Sequence, residues 1–472
     1  MGAAFHIENF GCRAARADGE AVGERLRAAG LAEGHSSAVD VVVVNTCSVT
    51  AEADREARAY IRRAHRANPE ARIVVTGCYA QRAPEELAGL PGVAAVVGNS
   101  HKALAPDIAA GLARLPGDRQ APAVHADFVP VHTLIRADSS GSAGIWADDR
   151  FAHSFLEESQ VVPGTQTRPN LKIQEGCGNR CTFCVIPQTR GGSRSLAEEK
   201  VLAQVRGFVQ AGGKELLLSG INLGRWGRDI STELSVIGHC LARLVRRIFR
   251  ETDLPRLRLS SIEPMDWDAD LIALMREFGG TRLARHAHLP LQSGSDTVLR
   301  RMHRRYRPWH YAEKVWALVG AAGSELTLGA DVMAGFPGET DAEFEETLQL
   351  IRQLPFGYLH LFPFSPRPAT RGWELHRQSP VPAAVVEERM AMLRALGREK
   401  MQAHRSRFVG RELECITLHS SEAQRLRLRT AALTENFLPV EVEASMPANQ
   451  AVRLRISGIG VDAVLLATAP CA

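Results

Sequence analysis

Gly176-Cys177-Gly178-Asn179-Arg180-Cys181-Thr182-Phe183-Cys184 sets three cysteines at C-x3-C-x2-C directly behind a predicted strand, Leu171–Gln174. A loop this compact can aim three thiolates at one point. Clustered thiolates are soft ligands suited to iron–sulfur clusters or zinc. Structural zinc takes a closed set of four ligands, and no fourth Cys or His follows at finger spacing. Three thiolates on a four-iron cluster leave one iron open, and an open iron can bind a substrate. The plain alternative, three unligated cysteines packed this closely, has no packing reason behind it.

Moving outward toward the C-terminus, Leu171 begins a βα series. Further strands are expected at Glu215–Ser219, Arg256–Ser260, His286–Pro290, Thr327–Met333 and Tyr358–Phe362, with helices between them such as Ala197–Ala211 and Ser235–Phe249. Six such units predict a partial (β/α)6 barrel, in which chemistry collects at the C-terminal ends of the strands. Polar strand ends follow that rule: Ser219-Gly220, Ser261 and Glu263, Gln292, and Gly335 to Thr340 behind Asp331. Each alone reads equally as turn chemistry or a helix cap. Together, Ser219, Gly220, Ser261, Glu263, Gln292 and Asp331 are candidates to line a cofactor site, with Asp331 and Glu263 able to hydrogen-bond sugar hydroxyls. Arg300, Arg301, Arg304, Arg305 and Arg307, with Tyr306 and Trp309, read either as a solvated face or as a grip on RNA phosphates and bases.

Toward the N-terminus, residues 1 to about 115 alternate strand and helix signals. Strands are expected at Phe5–Asn9, Val39–Val44, Ile73–Thr76 and Ala94–Val97, and helices at Ala14–Ala29, at Ala51–Ala67 and from Pro84. The apolar β-branched runs fit buried parallel strands, and the βαβαβ order predicts a doubly wound parallel sheet. Cys12, Cys47 and Cys78 each follow one of the first three strands. Ligands bind at the carboxyl ends of parallel strands, so these three cysteines can converge on a second iron–sulfur site.

Residues 116–168 lack periodicity and read as a connector, with strand content around Phe128–Leu134. Beyond the helix Ala384–Met401, short strands at Leu413–Leu418, Leu426–Ala432, Leu438–Val442, Ala451–Ile456 and Asp462–Ala467 predict a small C-terminal β-barrel, of a size that carries RNA or peptide recognition. The expected division is therefore 1–115, 116–168, 169–400 and 401–472. Cys240, Cys415 and Cys471 have no partner spacing and are expected to be structural. Hydrophobic residues make up 45% and charged residues 23% of the 472, with a net charge of +4, so no global basic field points to nucleic acid. Neither a signal peptide nor an apolar run of about 18 residues is present, so no membrane span is expected. Nine cysteines, an odd number, fit reduced thiols in the cytoplasm.

The central cysteine loop resembles the radical S-adenosylmethionine (SAM) signature, with Phe183 in the aromatic place before the last cysteine. Two three-cysteine sites, on a βαβ domain and then a barrel, are similar to the methylthiotransferase family, whose chains add a C-terminal TRAM β-domain. The resemblance implies that Cys177, Cys181 and Cys184 hold a SAM-cleaving [4Fe-4S] cluster, and that Cys12, Cys47 and Cys78 hold an auxiliary one. Asn45-Thr46-Cys47-Ser48-Val49-Thr50, Val75-Thr76-Gly77-Cys78-Tyr79-Ala80-Gln81 and Cys184-Val185-Ile186-Pro187 look most like the branch acting on N6-threonylcarbamoyladenosine in tRNA. That branch adds a methylthio group to C2 of the base beside the anticodon. One SAM methylates a sulfur at the auxiliary cluster, and a second yields the radical that removes hydrogen from C2. Implied partners are tRNA and an electron donor such as flavodoxin or ferredoxin; the sulfur source stays open. Arg13-Ala14-Ala15 stands where the family often has Lys-Val-Asn, and Ala369 stands where glycine is usual. Alternatives are N6-isopentenyladenosine or a ribosomal-protein aspartate as substrate and, in a different class, a zinc-containing RNA-binding protein without catalysis.

Overall fold

The structure, a computed structural model, describes residues 2–113, 143–151, 168–230 and 240–468. The strand expected around Phe128–Leu134, the start of the helix expected from Ser235, and Cys471 lie outside the described residues.

The N-terminal sheet is wholly parallel. Its strands are β1 (Ala4–Asn9), β2 (Ala32–Glu33), β3 (Val41–Thr46), β4 (Arg72–Gly77), β5 (Val93–Gly98) and β6 (Gly144–Trp146), in spatial order β2-β1-β3-β4-β5-β6. Val41 and Val43 pack with the helices Arg13–Ala28 and Ala105–Ala113 on one face. Val42 and Val44 pack with the helix Ala51–Ala67 on the other. Both faces are covered, which is why the strand reads as an unbroken apolar run. The strand order reverses between β1 and β3, and a crevice forms there at the strands' carboxyl ends.

Two local readings need correction. The strand expected at Val39–Val44 is displaced to Val41–Thr46. Asn45 and Thr46 continue the ladder because their side chains are satisfied: Asn45 Nδ2 donates to Asn9 Oδ1 (3.0 Å) and Thr46 Oγ1 to the Thr76 carbonyl (2.6 Å). Cys78 follows β4, as expected, and opens a helical turn, Cys78–Arg82. Gly144–Trp146, inside the expected connector, pairs with Ala95–Val97 as the sixth strand.

The central region contains β7 (Asn170–Glu175), β8 (Arg194–Ser195), β9 (Glu215–Gly220), β10 (Arg256–Leu259), β11 (His286–His288), β12 (Thr327–Ala334) and β13 (Phe356–Pro363). They form sheets β10-β9-β7-β8 and β11-β12-β13. The two sheets join through a parallel bridge between Leu257 and Leu283 and a bond from Ile262 N to the His288 carbonyl (3.0 Å). Six parallel strands thus make an open arc, the expected partial (β/α)6 barrel. The helix Arg13–Ala28 packs against β7, so the N-terminal sheet lies beside the open side of the arc.

The C-terminal strands β14 (Glu412–Thr417), β15 (Thr430–Thr434), β16 (Pro439–Val442), β17 (Ala451–Ile459) and β18 (Leu465–Ala467) close in the order β14-β15-β16-β18-β17. Leu426 does not start a strand. It ends a helix, Glu422–Leu426, whose capping box joins Ser421 and Gln424 reciprocally. Cys415 is buried in this barrel's core, as expected of a structural cysteine. The barrel docks beneath the N-terminal ends of β9 to β12. Arg258 Nη2 donates to the Glu435 carbonyl (2.9 Å), Arg285 Nε to Glu435 Oε1 (2.7 Å), and Asn436 Nδ2 to the Glu325 carbonyl (2.8 Å).

Candidate active site

β7 ends at Glu175, and Gly176 turns the chain with φ +69°. A Cβ at Gly176 would stand 2.0 Å from the Gly192 carbonyl oxygen, so only glycine fits this turn. The turn launches the loop of Cys177, Cys181 and Cys184. Thr182 N anchors it to the Met302 carbonyl (3.1 Å), and Cys177 N to the Gly191 carbonyl (3.1 Å). Donors surround the sulfurs: Asn179 N (3.4 Å) and Asn222 Nδ2 (3.6 Å) to Cys177, and Arg304 Nη1 (3.2 Å) to Cys181. Burial pushes the Cys184 thiol up to about 12 and raises that of Cys177, so ligation must supply what holds them as thiolates. A cavity of about 430 Å³ opens on all three cysteines. Three converging sulfurs, N–H donors aimed at two of them and an adjoining cavity fit a site-differentiated iron–sulfur cluster with a small-molecule ligand.

Cys12, exposed, and Cys47 and Cys78, buried, lie together at the β1/β3/β4 strand ends. Burial first, then the nearness of Cys78 and Cys12, pushes Cys47 up to about 12. Gly11 (φ +98°) presses against Cys47; a Cβ there would meet the Cys47 Cβ at 2.4 Å. Cys78 Sγ accepts from Asn99 Nδ2 (3.4 Å) and Arg190 Nε (3.2 Å). These three residues, too, fit a cluster.

A short helix, Ile186–Arg190, joins the two sites, running from just beyond Cys184 to the arginine on Cys78. Arg190 is fully buried in a charge network. Asp18 pairs with Lys102 (2.7 Å), Lys172 and Arg190 (3.1 Å), and Glu175 pairs with Lys172 and Arg190. Burial opposes the charge on Asp18, yet these three cations hold its carboxyl well below the usual range. Three cations face two anions, and the odd positive charge rests against Cys78.

A second cavity, of about 400 Å³, runs from Cys12 into the barrel lumen. Ser219, Gly220, Ser261 and Asp331 line it together, as the strand-end rule expects. Glu263 is instead paired with Arg304 beside Cys181. Gln292 is buried, its N–H donating to the Asp331 carbonyl (2.7 Å). Phe183 packs on the barrel core rather than lining either cavity. Of the basic run, Arg304 and Tyr306 point inward and are buried, whereas Trp309 is 56% exposed. Arg304 therefore serves the cysteine loop, not an outer face.

The sequence reading missed the lumen side chains Arg258, His286, His288, Tyr358 and His360, and singled out Arg13 only as a departure from the family's residues. His286 Nε2 bonds Tyr358 OH (2.8 Å), Tyr358 OH bonds His288 Nδ1 (3.0 Å), and His288 Nε2 bonds Asp331 Oδ1 (3.1 Å). With Asp331 accepting, the relay has His288 donating at Nε2, Tyr358 donating to His288, and His286 donating at Nε2. Against burial, the bonds from His288 and His360 hold the Asp331 carboxyl well below the usual range. The signal was present as the i, i+2 pairs His286/His288 and Tyr358/His360 on strands, which place both members on one face.

The arrangement has known counterparts. Residues 4–98 match the family model described as Uncharacterized protein family UPF0004, and residues 171–351 match the Radical SAM superfamily. The threonylcarbamoyladenosine tRNA methylthiotransferase MtaB of Aquifex aeolicus is 33% identical over 95% of this chain and 99% of its own. That of Bacillus subtilis is 34% identical over 93% and 89%. A tRNA-2-methylthio-N(6)-dimethylallyladenosine synthase of Cereibacter sphaeroides is 34% identical over 96% and 95%. Among solved structures, the radical S-adenosylmethionine methyltransferase TsrM from Kitasatospora setae shares the fold, with TM-score 0.54 and 15% identity over 80% of this chain and 78% of that one. Near-complete coverage at this identity, by enzymes that share both matched regions, shows that the chain belongs to the radical SAM tRNA methylthiotransferase family.

Proposed function

We propose that this protein adds a methylthio group to C2 of N6-threonylcarbamoyladenosine beside the anticodon of tRNA, using two [4Fe-4S] clusters and SAM. The observation that carries the reading is the pair of three-cysteine sites, joined by the helix Ile186–Arg190, with Cys12 facing a cavity in the barrel lumen. Cys177, Cys181 and Cys184 would hold the SAM-cleaving cluster, and Cys12, Cys47 and Cys78 the auxiliary one. When bound, the clusters supply the electron that cleaves SAM and a mooring for the sulfur that is transferred.

The chain's own residues position and insulate that chemistry. Asn222, Asn179 and Arg304 donate to sulfur at the first site and fix its orientation. Arg190 and Asn99 do so at the second. Ser219, Gly220, Ser261 and Asp331, expected from the sequence at the cofactor site, would here face the adenosine of the substrate, with Asp331 kept ionised by His288 and His360. Glu263, Gln292 and Phe183 act from behind, through Arg304, the β12 backbone and the core. Among the described residues no helix is long and apolar enough to cross a membrane. A cytoplasmic location, with flavodoxin or ferredoxin as electron donor, goes with the reading.

Nucleoside mass spectrometry of tRNA from cells with and without the gene tests it. Loss of the methylthio form of threonylcarbamoyladenosine alone is the expected result. The dimethylallyladenosine synthases match this chain at equal identity, so loss of the methylthio-isopentenyl nucleoside instead would reassign the substrate.

A further inference from the structure

The lumen cavity is lined by two arginines whose donors are not all used among the described residues. Arg258 is 1% exposed and lines the cavity. Its Nε donates to Glu215 Oε1 (2.9 Å) and its Nη2 to the Glu435 carbonyl, while its Nη1 is buried with no hydrogen-bond partner. Glu215 is also shared with Arg168 (3.7 Å) and Arg256 (3.9 Å). Arg13 lines the same cavity and makes no side-chain hydrogen bond or ion pair among the described residues. Both guanidinium groups lie over the ring of Phe437, at 5.5 Å for Arg13 and 5.2 Å for Arg258, and that ring from the C-terminal barrel closes the space below them. Asp331, the cavity's one carboxylate among the described residues, is already engaged by His288 and His360. Beside the arginines, Ser219 Oγ, Ser260 Oγ and His286 Nδ1 are buried without partners. In the relay above, that His286 nitrogen is a free acceptor.

Two converging guanidinium groups with a free donor are suited to a carboxylate. We propose that Arg13 and Arg258 form a subsite for a carboxylate on the N6 substituent of the substrate base, and so make the enzyme select an acidic substituent over an uncharged one. The inference rests on reading the lumen cavity as the base pocket. The base would enter with C2 toward Cys12, and its N6 side would extend to the Phe437 floor. There the carboxylate meets Arg13 and Arg258, and a substituent N–H or O–H meets His286 Nδ1. An uncharged alkyl substituent would leave Arg258 Nη1 buried and unpaired, the kind of penalty that rejects analogues most strongly.

The test uses the holoenzyme and three anticodon stem-loop RNAs. One carries N6-threonylcarbamoyladenosine, one its threoninamide analogue, which keeps the shape but replaces the charged carboxylate with a neutral amide, and one N6-dimethylallyladenosine. Both Kd and kcat/KM are measured. The wild type should favour the acid over the amide by about 10- to 100-fold, the range of a charge-assisted hydrogen bond. Arg258→Gln and Arg13→Gln should bring that ratio to about threefold or less, and Arg13→Lys should restore part of it. Among the described residues the Arg13 side chain makes no hydrogen bond or ion pair, only its contact with the Phe437 ring, and a ratio is insensitive to a general loss of active protein. Equal handling of acid and amide by the wild type, or an unchanged ratio in both Gln variants, overturns the subsite and leaves the substrate assignment standing. Reaction with the dimethylallyl RNA alone overturns both.

Discussion

Arg190→Met removes the residue that ties the two cysteine sites together, while keeping most of its volume. The guanidinium is fully buried and bonds Asp18 (3.1 Å), Glu175 and Cys78 Sγ (3.2 Å). Asp18 keeps Lys102 and Lys172, and Glu175 keeps Lys172, so neither anion is stranded. Each of the three lost charge-assisted bonds is worth roughly 1.5–3 kcal/mol. A chain of several units does not unfold in one step, so a global midpoint is the wrong measurement. Native-state hydrogen exchange on β7 and the helix Arg13–Ala28 reads the local opening instead. A loss of that size speeds exchange at least ~100-fold there, while the C-terminal barrel stays unchanged. Iron content should fall by roughly four atoms per chain, because the N–H donor and the compensating charge leave Cys78. Arg190→Lys keeps the charge without the fork and should fall between. Exchange within threefold of wild type, together with full iron content, would refute the assignment of Arg190 as the link.

Three further outcomes follow from the geometry. Cys47→Ser should abolish methylthio transfer yet leave SAM cleavage to 5′-deoxyadenosine, whereas Cys177→Ser should abolish both; loss of cleavage in Cys47→Ser would contradict separate sites. Ala369 sits in the left-handed region at φ +60°, where glycine carries no Cβ penalty. Ala369→Gly should therefore stabilise the loop beside the cysteine cavity by up to about 1 kcal/mol, and faster exchange there would count against it. Burial, then Arg407 and Arg405, hold His404 down to about 4 from its ordinary 6.5. Below pH 6.5 the unfolded chain takes the proton first, so stability at the C-terminal end of the helix Ala383–Ser406 falls as pH drops from 6.5 to 4, by at most about 3 kcal/mol. Replacing His404 with Gln should flatten that limb of a pH–exchange profile without moving the limb above pH 7.

Much of the site was legible because its signals are local. C-x3-C-x2-C needs one tight turn to converge. Cys12, Cys47 and Cys78 recur at equivalent strand ends, so the parallel sheet itself brings them together. Errors arose where polar residues behave as strand or helix. Asn45 and Thr46 stay in the ladder because Asn9 and Thr76 satisfy them. Leu426 belongs to a capped helical turn because Ser421 and Gln424 close on each other. Gly144–Trp146 joins a sheet whose other strands end by residue 98, a pairing that no local pattern announces.

By itself the sequence determined the two triplets of candidate ligand cysteines, the alternation that makes an open parallel sheet and a half-barrel, and the small β-barrel at the end. Each depends on residues a few positions apart and on fixed backbone periods. Only the tertiary structure decided what surrounds them. Arg190 meets Asp18 across 172 positions of sequence, and Arg258 meets Glu435 across 177. Buried charges must find partners wherever packing brings them. Which arginine reaches a cysteine sulfur, and which lines the lumen cavity, is therefore set by how the sheet, the arc of strands and the C-terminal barrel close on one another.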